Sequence, residues 1–346
     1  MVNLPLISII IPCRNEEKFI GKCLDSILAS NYPKDKIEVL IADGMSSDGT
    51  TEAVKAYSPK YPFIRLLHNT KKVTPVGLNM GIKKASGDYL FILSSHSKVD
   101  QNFIKANVDS MKRYDADCVG GIIVTLPAND TPIAHAIAFA LSHPFGVGNS
   151  YFRIGSKKPR YVDTVPFGCY KKEIFEKIGF FDEDLIRNQD DEFNFRLMKN
   201  SGKLLLNPEI VSHYYARDSL DKLWRMFFQY GYFKPLVAKK IGSFVTWRQT
   251  IPSLFVGSLL LTGLLSFFNK YFLWLFLSII GVYTSVNLFI SFFTCIKKGL
   301  SCLPYLTVSF ATLHFSYAIG YILGFFDFFI INKDIKKKIK DIPLSR

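Results

Sequence analysis

The chain has 346 residues, enough for one large or two smaller domains. Hydrophobic residues make up 49% of it and the mean hydropathy is +0.16, which excludes an ordinary cytosolic enzyme. The 43 Lys and Arg residues outnumber the 29 Asp and Glu residues, giving a net charge of +14 that suits nucleic acid, an anionic membrane face or phosphate-bearing substrates. Because the apolar excess is concentrated after residue 250, the last two are favoured and no nucleic-acid partner is expected.

The six cysteines lie in unlike contexts, without a CxxC pair or a spacing typical of metal sites. This pattern predicts reduced, mostly buried thiols in a protein that faces the cytosol. The apolar run Leu6–Ile11 is far too short for a signal peptide, so the first domain is expected to stay in the cytoplasm. The cysteines are Cys13, Cys23, Cys118, Cys169, Cys295 and Cys302.

Two strand, loop and helix units open the chain. Leu6–Pro12 is an Ile-rich run that predicts a buried parallel strand, and it leads through a polar loop into a helical stripe between Phe19 and Leu28. Ile37–Ala42 predicts a second strand, which runs into the Gly-, Ser- and Asp-rich loop Asp43–Thr50. This alternation is typical of a doubly wound sheet.

Two more strands are predicted at Ile64–Leu67 and Gly87–Leu93, and the second delivers Ser94–Ser97 to the same edge. In such sheets, ligands bind at the carboxyl ends of the strands, where these loops emerge. A single loop of this composition is as often a turn followed by a helix cap, but several of them ending one sheet favour a binding site.

An acidic stretch, Asn188–Arg196, precedes a helical stripe formed by Phe193 and Leu197. Acidic residues are favoured at a helix N-terminus, and a carboxylate held there at a cleft can take a proton from a sugar hydroxyl. The stretch therefore predicts a catalytic carboxylate at a helix entrance. The alternative is a solvated acidic helix start.

Taken in order, these motifs resemble the family 2 glycosyltransferases, over roughly residues 5–235. The resemblance implies an α/β fold of the GT-A type, with a doubly wound, mixed but mostly parallel sheet flanked by helices, followed here by an α-helical transmembrane region. Segments 142–149 and 230–234 look like those of membrane-bound enzymes of succinoglycan-type exopolysaccharide assembly. The residues that carry the resemblance are Pro12–Glu16, Asp43–Thr50, Asn79, Gly81, Ala85, Gly87–Tyr89, Gln189 and Asp190.

The resemblance implies an inverting transfer, in which an acceptor hydroxyl attacks the anomeric carbon of a nucleotide-sugar. It places the catalytic base at Asp190, with Asp191 as the second candidate. Gln189 replaces the family's usual Glu, which removes one negative charge beside the base and is expected to lower its pKa.

The resemblance also assigns the nucleotide site to the first two loops. Asp43 corresponds to the carboxylate that contacts uracil, and an Asp there can accept a hydrogen bond from the ring N–H. For Glu16 and Asp48 a solvated charge or a helix cap is the alternative. The nucleotide-binding candidates are Pro12, Arg14, Asn15, Glu16, Asp43, Ser46 and Asp48.

For the diphosphate, the family uses an Asp-x-Asp or Asp-x-His loop that holds Mn²⁺ or Mg²⁺. This chain has Ser94 and His96 at those positions. A serine hydroxyl is a poor metal ligand, so metal binding should be weak, Asp100 should enter, or cations of the protein should take over the charge. Arg225, Gln229 and Lys234 are candidates for contact with the diphosphate or the acceptor.

The aromatic and basic stretch 220–240 predicts an interfacial helix on the inner leaflet; an RNA-binding helix has the same composition, but the apolar segments that follow favour the membrane. Ile251–Phe268 and Tyr271–Ile296 can each span the ~30 Å hydrocarbon core, and Leu303–Ile331 is a third candidate. Within it, His314 and Asp327 are expected to pair inside the helix bundle.

Positive charge flanks these segments and closes the chain, as expected of cytoplasmic loops. Three crossings would leave the basic tail outside. Two crossings with a re-entrant or in-plane third segment would keep it inside, as would a fourth crossing, for which the sequence offers no further segment. A cytoplasmic tail is favoured, with the number of crossings open. The predicted domains are a cytosolic GT-A domain at 1–218, an interfacial helix and linker at 219–249, transmembrane helices at 250–332 and a basic tail at 333–346.

The predicted protein is a multi-pass cell-membrane enzyme, a hexosyltransferase that moves sugar from a nucleotide-sugar, a UDP-sugar by the Asp43 assignment, to a polyprenyl-linked acceptor. Membrane lipids are its surroundings, and the sequence leaves the oligomeric state open. A polyprenyl-phosphate sugar synthase is one alternative, since the lipid phosphate would then act as nucleophile without a base at Asp190. A catalytically inactive membrane scaffold is another, motivated by Ser94 and Gln189.

Overall fold

The computed structural model describes residues 4–243 and 247–333. They fall into two compact units. The sheet unit contains the chain up to residue 124 and residues 150–215, and the helical unit contains residues 125–149 and the chain from residue 216. Segment 125–149, placed in the catalytic domain on sequence grounds, thus clusters with the C-terminal helices.

The sheet unit is built on one mixed sheet whose parallel half follows the prediction. Its strands are β1 (Ile7–Cys13), β2 (Ile37–Asp43), β3 (Ile64–His68) and β4 (Tyr89–Ile92). They lie in the order β3-β2-β1-β4, all parallel, so the loops after them leave from the same edge. In this register Cys13 lies beside Asp43, which brings the first two loops together.

The other strands continue the sheet in the order β8-β6-β9-β5, with β7 paired to β9. β8 runs antiparallel to β4 and β6, and β5 and β7 run antiparallel to β9. Parallel pairing thus joins the first four strands, and the other half of the sheet is mixed: the bonds from Asp117 to Lys203 and from Ala216 to Leu126 show that β6 and β9 advance in the same direction. The bounds are β5 Ser97–Val99, β6 Cys118–Leu126, β7 Arg160–Tyr161, β8 Cys169–Lys171 and β9 Leu204–Tyr215.

Helices cover both faces of the sheet, which explains the unbroken apolar runs of its central strands. Ile9 belongs to the core on one face and Ile10 to the core on the other. The helices are α1 Glu17–Leu28, α2 Thr50–Lys55, α3 Thr74–Lys84, α4 Phe103–Arg113, α5 Pro132–Ala140, α6 Pro144–Val147, α7 Tyr151–Ile154, α8 Lys172–Ile178, α9 Gln189–Lys199, α10 Leu220–Ile241, α11 Ile251–Leu265, α12 Lys270–Lys298 and α13 Leu303–Phe325. Short 3₁₀ turns lie at Lys34–Lys36, Trp247–Thr250 and Leu300–Cys302, and a π-helical turn at Phe326–Ile330 follows α13.

In the helical unit, α10 packs closely against α13. A Cβ atom on Gly320 would lie 2.2 Å from the Phe228 carbonyl oxygen, and one on Gly324 would lie 2.1 Å from that of Tyr232. Only glycine permits this approach. The Tyr232 hydroxyl donates to Asp327 at 2.6 Å, and Lys333 pairs with the same carboxylate at 2.6 Å, so Asp327 is paired within the bundle as expected.

His314 is also paired within this unit, as predicted. Its Nδ1 lies 2.9 Å from the Tyr283 hydroxyl, and its Nε2 lies 2.7 Å from the Phe145 carbonyl oxygen. These bonds connect α13 to α12 and α6. They explain why segment 125–149 clusters with the C-terminal helices.

Among the described residues, two helical segments are long and apolar enough to cross a membrane, Lys270–Lys297 and Leu300–Ile330. The apolar window of the first is 6% buried within the protein and that of the second 44%, so the second has the more extensive protein contacts. The first predicted crossing forms only the 15-residue helix α11, about 22 Å long and shorter than a bilayer core. Residues 334–346 of the predicted basic tail lie outside the described residues.

Candidate functional site

The loops after β1 and β2 are bonded into one platform. The Asn15 N–H donates to Ser46 Oγ at 2.9 Å, and the Ser47 N–H donates to Asn15 Oδ1 at 2.9 Å. Asn15 and Met45 both have left-handed backbone conformations, which set these tight loop turns. Because the bonds run between the loops, neither loop can move independently of the other.

Asp43 lies at the carboxyl end of β2 and is 2% exposed. Its carboxylate accepts hydrogen bonds from the Ser46 N–H at 3.1 Å and the Ser46 hydroxyl at 2.5 Å. The Cys13 thiol lies 3.9 Å away. Burial, together with the charges of Asp43 and Glu16, raises the Cys13 pKa, which keeps the thiol neutral and able to donate to Asp43. Asp43 is thus a fixed acceptor at a strand end.

Asp48 joins the starts of α1 and α2. It accepts hydrogen bonds from the Glu17 N–H at 3.2 Å, the Thr50 N–H at 3.0 Å and the Thr50 hydroxyl at 2.5 Å. Burial opposes its charge, but the bonds from Thr50 and Glu17 outweigh burial and lower the Asp48 pKa. This geometry favours the capping interpretation of Asp48 over direct contact with a nucleotide.

The other first-loop candidates are more accessible. Arg14 is exposed and lies beside Gly44, where an added Cβ would be 3.3 Å from that of Arg14. Pro12 is half-buried and pairs in register with Ala42. Glu16 is 6% exposed, and its N–H donates to Thr50 Oγ1 at 2.7 Å. The platform therefore offers a buried acceptor at Asp43 and an exposed cation at Arg14.

Ser94 and His96 follow β4 at the same edge. Ser94 Oγ lies 3.0 Å from His96 Nδ1, and that nitrogen lies 3.4 Å from Glu16 Oε1. The described part of the chain holds no group of three or more His, Cys, Asp or Glu side chains placed to bind a metal. An imidazole, a neutral hydroxyl and one carboxylate make a weak donor set for a divalent cation, since Mg²⁺ favours carboxylate oxygens. Binding of Mn²⁺ or Mg²⁺ stays a prediction.

Asp190 is the second residue of α9, as the acidic stretch predicted, and its side chain is exposed. The residue before the helix, Asn188, is buried and has a left-handed backbone with φ of 59°, a conformation that Asn tolerates. Asp191 is the third residue and is half-buried. A base that must reach a substrate hydroxyl needs the exposure of Asp190 together with a rigid support.

That support comes from a pair that the sequence analysis did not single out. Arg196 donates to Glu192 through Nε and Nη2, both at 2.8 Å, and Nη2 also donates to the Phe180 carbonyl at 2.8 Å. Nη1 donates to the carbonyl of Ile178 at the end of α8. A bidentate guanidinium contact fixes orientation as well as distance, so α9 is locked to α8 one turn beyond Asp190.

Tyr170, on β8, connects α9 to the sheet. Its hydroxyl donates to Asn194 Oδ1 at 3.0 Å, and Asn194 lies one turn along the same helix face as Asp190. The Tyr170 pKa is raised well above its usual value. Burial is the largest cause, and the electrostatic effects of Cys118 and then Asp190 raise it further. Tyr170 is therefore a neutral buried anchor near the proposed base. A lone Tyr in a short strand gave no sequence signal of this.

The candidates Arg225, Gln229 and Lys234 all lie on α10, in the helical unit. Arg225 is exposed and pairs with Asp221 at 3.1 Å. Gln229 is 4% exposed and Lys234 is half-buried. Contact of any of them with a diphosphate or acceptor stays a prediction.

Another cation, Arg153 on α7, belongs to the sheet unit and was missed. Its guanidinium lies over the Tyr214 ring at 5.5 Å, and the centroid of that ring is 5.3 Å from that of His96. The Arg and its partner are 61 residues apart in sequence, so no spacing rule could have linked them.

Four parallel strands with bonded loops, continued by a mixed set of strands and an acidic helix entrance, define the GT-A fold. Solved structures agree. A mannosyltransferase from Pyrobaculum calidifontis, solved with GDP-Man and Mn²⁺, is similar with a TM-score of 0.59 and 17% identity over 93% of this chain and 88% of its own.

The sequence profile of glycosyl transferase family 2 matches residues 8–179. A Methanococcus voltae protein named dolichyl N-acetyl-alpha-D-glucosaminyl phosphate 3-beta-D-2,3-diacetamido-2,3-dideoxy-beta-D-glucuronosyltransferase is 38% identical over 75% of this chain and 83% of its own length. The succinoglycan biosynthesis protein ExoA of Rhizobium meliloti is 25% identical over 92% and 95%. The chain belongs to glycosyltransferase family 2, and the prediction of a hexosyltransferase of that family is confirmed.

Proposed function

We propose that this protein is an inverting glycosyltransferase that moves a sugar from a nucleoside-diphosphate sugar, a UDP-sugar by the Asp43 assignment, to a lipid-linked acceptor at the inner membrane face. The observation that carries the proposal is the bonded platform of the first two loops with Asp43 buried at its base. His96 follows a neighbouring parallel strand and lies 3.4 Å from Glu16. A donor held by these loops would have its base at Asp43 and its phosphates toward His96.

Asp190 is the proposed general base. In the reaction, the acceptor oxygen bonds to the anomeric carbon while the bond from that carbon to the phosphate oxygen breaks. The electron pair of that bond goes to the diphosphate, and the acceptor proton goes to Asp190. The exposure of Asp190 and the Glu192–Arg196 pair on the same helix support this role.

The lipid-linked acceptor is supported by the helical unit and by the relatives. Two segments are long and apolar enough to span a bilayer. The 38% identical relative is named for a dolichyl-linked sugar phosphate, an acceptor whose sugar hydroxyl needs a base. A polyprenyl phosphate used directly as nucleophile would need none. The cytoplasmic placement of the sheet unit, with more than one crossing, completes the proposal.

The test uses the full chain, first purified in detergent and then in native membranes. Purified protein is first screened by thermal shift with UDP, GDP, CDP and dTDP, because a ligand that binds only the folded state raises Tm. We expect UDP to give the largest shift. Membranes are then supplied with radiolabelled UDP-sugars, and label is expected in the organic extract. No shift with any nucleotide would contradict the donor class, and label that stays in water-soluble products would contradict the acceptor class.

A further inference from the structure

Ser94, which follows β4, has no negative charge, although the family resemblance implies a carboxylate metal ligand at this position. Ser94 is neutral, its hydroxyl contacts the His96 ring, and the nearby Glu16 carboxylate faces the same ring. A leaving diphosphate gains charge as its bond to the sugar breaks, and this charge must be compensated. With so weak a donor set for a divalent cation, a cation of the chain itself is the physical alternative.

Arg153 meets this need. Its guanidinium stacks over the rings of Phe152 and Tyr214, at 5.3 and 5.5 Å. Its Nη1 is buried and has no hydrogen-bond partner in the part of the chain that the structure describes. A buried guanidinium nitrogen without an acceptor is costly, because its desolvation is not offset. Such a nitrogen is explained if an anionic ligand completes its hydrogen bonds.

Tyr214 places this cation beside the donor site. The ring is only 8% exposed, and it contacts both the His96 ring and the Arg153 guanidinium. The position of Tyr214 is fixed in turn by the pairing of β9 with β5, where Tyr214 lies opposite Ser97. β5, the strand that follows His96, therefore also positions the Tyr214 ring over which Arg153 lies.

We propose that Arg153 binds the diphosphate of the donor and compensates the charge that develops on it as the sugar leaves. A guanidinium presents paired N–H donors that match phosphate oxygens, and the two aromatic rings hold its plane. This assignment rests on the proposed function and names one substrate contact within it.

The experiment measures affinity for UDP and UMP in EDTA, using full-length protein in detergent. Arg153→Gln is expected to weaken UDP binding about 10- to 100-fold, the usual loss for a hydrogen bond to a charged group, and UMP binding by less than about threefold. Arg153→Lys should give an intermediate loss, because it keeps the charge without the paired donors. It also serves as the second variant if Arg153→Gln does not fold.

The matched control is Arg160→Gln. Arg160 stacks over Tyr151 at 3.6 Å in the same stretch of chain, so removing it tests the loss of a stacked cation in general. We expect its UDP affinity to equal that of the wild type. Equal losses of UDP and UMP in Arg153→Gln, or no loss, would overturn the proposal. The proposal would also be overturned if the wild-type protein in EDTA no longer bound UDP more tightly than UMP, because a metal ion would then be what compensates the charge of the diphosphate. If the wild type binds neither nucleotide, the proposed function itself fails.

Discussion

The two halves of the sheet solve different problems. In the parallel half, Asn15, Ser46 and Asp48 make bonds between consecutive βα loops, and the register of two adjacent strands is enough to bring them together. In the mixed half, four separate segments supply Arg153, Tyr170, Asp190 and Tyr214. The bonded platform of the first two loops thus follows from the register of two adjacent strands, whereas the proposed chemistry depends on packing between distant segments.

The sharpest test of this division separates binding from chemistry. Asp190→Asn should lower the transfer rate by about 10²–10⁴-fold, because the amide cannot take the acceptor proton. The affinity for UDP should stay unchanged, since the platform lies in the other half. Transfer to lipid is measured alongside thermal shift with UDP, and Asp191→Asn is the matched comparison. A larger loss in Asp191→Asn would move the base to that residue.

The support of α9 gives the second largest effect. Arg196→Met should destabilise the protein by about 3 kcal/mol, because it leaves the Glu192 carboxylate, with a side chain 8% exposed, without its partner. The Tm measured without ligand should fall. Glu192→Leu combined with Arg196→Met should recover part of the loss, since both charges are then removed. If the double variant is less stable than Arg196→Met alone, Glu192 and Arg196 do not act as a unit.

Replacing Asp43 should affect only the nucleotide contact proposed for the platform. Asp43→Asn is expected to weaken the binding of UDP and UMP by the same factor, about 10- to 100-fold, because the contact proposed for Asp43 is with the nucleoside rather than the phosphates. Titration of both nucleotides checks this. The equal loss contrasts with the selective loss of UDP expected for Arg153→Gln. A selective loss of UDP in Asp43→Asn would place the phosphates, not the base, beside Asp43.

The smallest effect is expected at Asp48. Asp48→Asn should cost about 1 kcal/mol, as for a helix-capping side chain, with little change in UDP affinity. Because the folded state lowers the Asp48 pKa, its contribution is complete above the ordinary value of 3.8 and is lost as the pH falls through the lowered value. Tm measured across that range should therefore fall less steeply in the variant. If Tm falls with pH equally steeply in the wild type and in Asp48→Asn, Asp48 has the same pKa in the folded and unfolded states, which contradicts this prediction.

The sequence determined the strands, helices and loops of the parallel half. Four Ile- and Leu-rich runs became β1 to β4, and the acidic stretch became the start of α9 with Asp190 in its first turn. These features follow from local rules, because apolar runs must be buried and acidic residues favour helix N-termini. The length and apolar character of α12 were equally local.

The tertiary structure decided which distant segments contact one another, which local rules do not specify. It grouped segment 125–149 with the C-terminal helices, set Arg153 over Tyr214 and closed the Glu192–Arg196 pair onto α8. Contacts between residues far apart in sequence depend on how all the elements pack, and the same local pattern is compatible with many partners. The physical reason is that side-chain type and spacing specify an element, while only close packing selects which elements meet.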